Sequence, residues 1–269
     1  MVKFKGKPFL EIFVSSLQED YRLPLLEFFA FLYTLGTFAL ANISIVSEEQ
    51  SVYGLVSSLM GVPVLIFMIL VFKNIAYGLG GDLEKGTIQT LFSYPLKRYA
   101  IFLAKILSAV GVALLVLFGI QVFALVVLAP AMILPYLSTV MTTYLASLSY
   151  PLLLASVILL VTLIVRKGGL AIVIGIAMFF ASTIFQSLAT FITLATRSPL
   201  PLQMLSVVNP SVTLQYHYRN LSVPAENLGT EIIWAPTSTE VLAYMGIAYL
   251  LVFAVLLLSY YFFSRRMNL

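Results

Sequence analysis

The stretch Gly80–Arg98, GGDLEKGTIQTLFSYPLKR, decides how the chain is read. It carries five charges, Asp82, Glu84, Lys85, Lys97 and Arg98, and three glycines, between the apolar runs Val52–Phe72 and Tyr99–Leu128. A bilayer-spanning helix needs about 20 apolar residues, because about 30 Å of hydrocarbon is crossed at about 1.5 Å per residue. Both flanking runs meet that length. Placed at mid-bilayer, each charge would cost about 2.5 to 3.5 kcal/mol, so the five together would cost roughly 12 kcal/mol or more, and the stretch must lie outside the membrane.

Working outward, the same criterion finds four further runs, Leu23–Val46, Thr139–Val165, Leu170–Thr196 and Val241–Phe263. The 269 residues are 61% hydrophobic and 10% charged, with a mean hydropathy of +1.04, far from the composition of soluble domains. The expectation is an all-α integral membrane protein, one transmembrane domain over 1–269 with six transmembrane helices. Short alternating segments of the kind that build a barrel are not seen. Lysine and arginine set the orientation: with the N-terminus in the cytosol, only Arg197 and Arg219 fall outside. Both termini are then cytosolic, residues 197–240 form a large extracellular loop, and the chain is a multi-pass protein of the plasma membrane. The net charge of +4 reads as topology, with no basic, aromatic-interleaved patch for nucleic acid. Cysteine is absent, which removes disulfides, thiolate metal sites and a thiol nucleophile. The first residues show no cleavable signal sequence.

Residues 8–21 place Phe9, Phe13 and Leu17 on one helical stripe, which suits an interfacial helix along the inner leaflet, with Lys3, Lys5 and Lys7 toward anionic headgroups. Pro63 predicts a kink in the second span, and Pro130 with Pro135 a break at the outer end of the third. Small pairs such as Ala171 with Gly175 and Ala177 with Ala181 allow close helix approach. The outer segment holds apolar pieces that predict a packed cap, and Asn220-Leu221-Ser222 is a sequon best read as unmodified.

Within the opening stretch, Thr87–Tyr94 predicts a short helix with Ile88, Leu91 and Phe92 projecting together, ended by Pro95. An apolar face on a cytosolic loop calls for a partner. Gly81 to Thr87 mimics the glycine spacing of a phosphate-binding loop but lacks the lysine and follows a membrane helix, so this chain is not expected to bind ATP. The order Glu84-x-Gly86-Thr87-Ile88, then Leu91-x-Ser93-x-Pro95-Leu96-x-Arg98, then Lys105, resembles the signature of type-2 ATP-binding-cassette (ABC) transporter permeases. The family's layout also resembles this one over nearly the whole chain; Gln89 departs from it, where glutamate is common. The resemblance implies a permease subunit, working as a dimer with a second copy or a paralogue, in contact with membrane lipid and coupled to separate ABC ATPase subunits. ATP and Mg²⁺ would sit on those partners and no cofactor on this chain; export is the implied direction. Asp82, Glu84, Gly86, Thr87, Ile88, Leu91, Phe92, Ser93, Pro95 and Arg98 would be the coupling element. Gly86 would permit a tight turn, Thr87 would cap the helix, and Arg98 would meet acids or lipid phosphates.

The rival classes are an intramembrane enzyme, an ATP-independent transporter and a plain anchor. Ion coupling calls for ionisable groups inside the membrane, and Glu27 is the one candidate, best read as lying at the headgroup level. Asn42, Gln121 and Gln186 are the candidate pathway polar groups. His217 stands in the outer loop with no hydrolase or metalloprotease motif around it, so the chain is expected to be no enzyme and to hold no metal.

Overall fold

The computed structural model of the chain describes residues 8–21, 27, 28, 30–32, 35, 49–87, 92, 96–128, 130–224 and 230–266. Among these residues five helices are long and apolar enough to cross a membrane, which makes this a helical membrane protein. In chain order the elements are α1 (Pro8–Asp20), α2 (Glu49–Glu84), α3 (Arg98–Val127), α4 (Leu137–Val165), α5 (Gly168–Thr196), α6 (Leu200–Ser206), α7 (Ser211–Arg219), β1 (Leu221–Pro224), β2 (Thr230–Trp234) and α8 (Ser238–Arg266). The expected first span, Leu23–Val46, lies largely outside the described residues, among which Glu27, Phe28, Ala30, Phe31, Leu32 and Leu35 are helical.

Two boundaries move from expectation. The second span does not end at Phe72: α2 passes through a π-helical turn, Asn74–Leu79, and stays helical to Glu84, taking in the first five residues of the opening stretch. The polar groups that this extension carries find partners on α3 and α5, which removes the reason for the helix to stop. Pro63 sits inside this helix, and Pro151, which has no counterpart among the expected kinks, sits inside α4. The chain does break at the far end of α3, where Pro130–Ile133 and a 3-10 turn at Leu134–Tyr136 precede α4.

The central helix is α4, which packs along α8, α2 and α5. Phe67 of α2, Phe118 of α3 and Tyr144 of α4 meet edge-on at 5.6 and 6.3 Å and lock those three spans together. Helix α5 crosses α2 and α4 on its small residues. A Cβ on Gly168 would sit 2.1 Å from the Ala76 carbonyl oxygen, and one on Gly175 would sit 2.5 Å from Ile158 Cδ1. Ala171 is buried with Gly175 at this crossing, whereas Ala177 is exposed. Beyond the crossing α5 is the least covered of the five.

The segment between α5 and α8 folds as a cap. Leu202, Val212, Leu221 and Trp234 form its own small core, and the antiparallel ribbon β1–β2 is a departure from the all-helical expectation. Ring stacking of Tyr218 on Tyr53 at 4.6 Å seats α7 on the start of α2. The Glu49 carboxylate accepts from Thr139 Oγ1 at 2.7 Å and from the Tyr218 hydroxyl at 3.0 Å, which fixes the same corner.

Candidate functional site

Polar residues at one level of α1, α2 and α3 meet in a buried knot. Helix α1 turns Ile12, Ser16 and Asp20 inward, an i, i+4, i+8 stripe, onto the foot of α3; Phe9 and Phe13 are only partly covered. The predicted stripe of Phe9, Phe13 and Leu17 is therefore not the face that α1 buries most deeply. Ser108 Oγ donates to the Asp20 carboxylate, and Lys73 Nζ donates to the Asp20 carbonyl at 2.6 Å. In the π-helical turn Leu107–Gly111 of α3, backbone oxygens serve side chains: Ser108 O accepts from the Tyr21 hydroxyl at 3.1 Å and Ala109 O from Asn74 Nδ2 at 3.3 Å.

Lys105, 8% exposed, is the knot's central cation, paired with Asp82 Oδ2 at 2.7 Å and with Glu19 at 3.6 Å. Burial pushes Asp20 up to about 6 from an ordinary 3.8, opposed by the Ser108 hydrogen bond and then by the Lys105 charge. Burial likewise pushes the Tyr21 hydroxyl up. The approach of α1 to α2 is tight, since a Cβ on Gly78 would sit 2.6 Å from Asp20 Oδ1.

From this knot the opening stretch reaches three spans. Asp82 binds Lys105 of α3 and accepts from Thr87 Oγ1 at 2.9 Å. Gly86, at φ +70, takes the left-handed turn that only a residue without Cβ adopts freely. Glu84 Oε1 accepts from the Gly168 N–H at 2.8 Å, so a carboxylate from α2 caps α5, whose own Lys167 supplies no side-chain cap. Arg98 Nη1 donates to the Ser264 carbonyl at 2.5 Å in the last turn of α8, where a cation suits the helix dipole, and the guanidinium lies 5.3 Å from the centre of the Phe92 ring. It meets a helix end and a ring where acids or lipid phosphates were expected.

Phe92 also differs from expectation. Its ring meets Phe263 edge-on at 5.6 Å and packs toward the core, so it ties the loop to α8. Ile88, Leu91, Ser93 and Pro95, with Gln89, Thr90 and Tyr94 of the predicted Thr87–Tyr94 helix, lie outside the described residues, as does Asn42. Gln121, 1% exposed, donates to the Leu59 carbonyl at 3.2 Å and bridges α3 to α2. Gln186 is on the uncovered face of α5 beside Thr183, Ser187 and Thr190. Those hydroxyls bond back to carbonyls of their own helix, and no group among the described residues bonds the Gln186 amide.

Sequence reasoning passed over Glu19, Asp20, Lys73, Asn74 and Ser108. A signal existed, in that Lys73 with Asn74 and Lys105 with Ser108 put polar groups at matching depth on two adjacent helices. His217 Nδ1 lies 2.7 Å from the Pro236 carbonyl and its Nε2 3.5 Å from Ser238 Oγ, and no carboxylate among the described residues bonds the ring. Among the described residues no three His, Asp or Glu side chains gather as a metal site. The chain matches no protein-family model and no curated protein.

Proposed function

We propose that this chain is the membrane-spanning permease subunit of an ATP-driven exporter of the type-2 ABC class, a six-span plasma-membrane protein with cytosolic termini, α1 along the inner leaflet and the cap outside. It works as a dimer, and separate ATPase subunits drive it through Gly80–Arg98. The observation that carries the reading is the set of anchors of that stretch. Asp82 holds α3, Glu84 holds the first turn of α5 and Arg98 holds the last turn of α8, so a push on the loop is delivered to three spans at once. A loop that only enforced topology would have no need of such ties.

The bare face of α5 supports the dimer. Among the described residues nothing bonds the Gln186 amide, and since an amide in hydrocarbon without a partner costs several kcal/mol, a second copy or a hydrated path between copies would satisfy it. The test is purification of the tagged chain from its native membrane, with ATPase assay of what accompanies it. The reading expects a stoichiometric nucleotide-binding subunit whose hydrolysis loses its link to transport when Leu91 is changed to Asp. A chain recovered alone, without ATPase activity, would overturn it.

A further inference from the structure

A cleft of about 220 Å³ opens between α2, α4 and α5 under the cap, inside a single copy of the chain and apart from the bare face of α5. Its character changes along its length. Near the cap it is lined by Tyr53, Ser57, Asn209, Ser211 and Gln215, which offer hydroxyl and amide groups. Deeper in the membrane-spanning part Met60, Val64 and Met68 of α2 face Phe179 of α5, with Ser147 and Tyr150 of α4 completing the wall. From Tyr53 to Met68, fifteen residues at 1.5 Å each, the lining runs about 22 Å along α2. Gly61 stands midway, and a Cβ there would meet nothing within 4 Å, so the space beside the helix is open.

We infer that this cleft binds a bilayer amphiphile with an uncharged, hydrogen-bonding head and a flexible hydrocarbon chain. Among the described residues no Asp, Glu, Lys, Arg or His lines it, so the wall offers an ionic head no direct partner, Arg219 acting only from behind Tyr53, whereas hydroxyls and amides pair with an alcohol or sugar head. Unbranched methionines adapt to a chain of variable conformation. The low end at membrane depth would reject a freely soluble polar solute. The inference goes beyond the transporter reading and needs only the chain's placement in a membrane, so either can fail without the other.

The test uses the full chain reconstituted in liposomes with a photoactivatable monoacylglycerol, its diazirine on the acyl chain, and mass spectrometry of the labelled peptides. The expected result is labelling concentrated between Met60 and Met68 and at Phe179. In Gly61→Trp, which fills the open space, labelling should fall about tenfold. A lysophosphatidic acid probe with the same acyl chain should label these positions no more than it labels the exposed faces of α5 and α8. Ser57→Leu, which removes a hydroxyl at the polar end, gives the same loss for the neutral probe and serves if Gly61→Trp does not fold. Equal labelling by both probes, labelling spread evenly over lipid-facing helices, or undiminished labelling in the variants would overturn the inference.

Discussion

Replacing Lys105 with methionine should be among the most damaging single changes in the chain, and the loss should be recovered by a second change. At 2.7 Å, with an effective dielectric near 20, the direct attraction between Lys105 and Asp82 is about 6 kcal/mol. Burying both groups offsets much of that, so the pair itself is worth far less. The single change does not remove both costs: it leaves Asp82, whose side chain is 13% exposed, without its cation. Orphaning one member of a buried pair typically costs about 3 to 5 kcal/mol. At about 2 to 4 °C per kcal/mol for a chain of this order of size, the melting point should fall roughly 6 to 20 °C. Glu19 adds little, because its side chain is 52% exposed. Asp82→Asn keeps an oxygen to accept from Thr87 and removes the charge, so Lys105→Met with Asp82→Asn should regain at least half of the loss. Thermal denaturation in detergent, read by size-exclusion fluorescence on wild type, both single variants and the double, measures the cycle. A single variant melting within about 2 °C of wild type, or a double variant falling by the sum of the singles, would refute the paired-burial argument.

Three further outcomes are expected. Because burial raises Asp20 to about 6 from 3.8, the folded chain takes the proton before the unfolded one does; stability should rise as pH falls from 7 through 6 toward 4 and be lowest above 6. The full gap corresponds to about 3 kcal/mol, and melting curves of Asp20→Asn should lose this part of the pH dependence. Gly168→Ala forces a Cβ against the Ala76 carbonyl at 2.1 Å, so α5 must move away from α2, and the monodisperse yield in detergent should drop severely, while Gly169→Ala, with open space around it, should express normally. Glu84→Gln weakens the cap on α5 and should cost about 1 kcal/mol of stability; in a reconstituted transporter it should lower transport per ATP hydrolysed, which parallel assays of both rates would read.

Asp82 and Glu84 show how far the chain could be read in advance. Their place beside Gly86 and Thr87 marked the stretch as functional, but their roles required knowing what stands opposite. Lys105 lies 23 positions beyond Asp82, and the Gly168 N–H lies 84 positions beyond Glu84. Phe92 was legible as apolar and not as inward-facing, because a face of a short helix acquires a direction only from the rings of Phe263 and its neighbours. Asp20 was hidden for a related reason. An acid at the end of an amphipathic helix reads as solvated unless the serine and lysine that face it are known to be there.

What the sequence determined by itself is the solvent. Runs of apolar residues as long as a bilayer is thick can be satisfied in few ways, so length and composition alone dictated spanning helices. Local chemistry added the left-handed turn at Gly86 and the proline breaks after α3. What only the tertiary structure decided is which polar groups are buried together and which apolar faces stay bare. Hydropathy is a property of one helix, whereas the knot around Lys105, the cap that Glu84 places on α5 and the cleft beside Gly61 are each set by the distance between two or more helices.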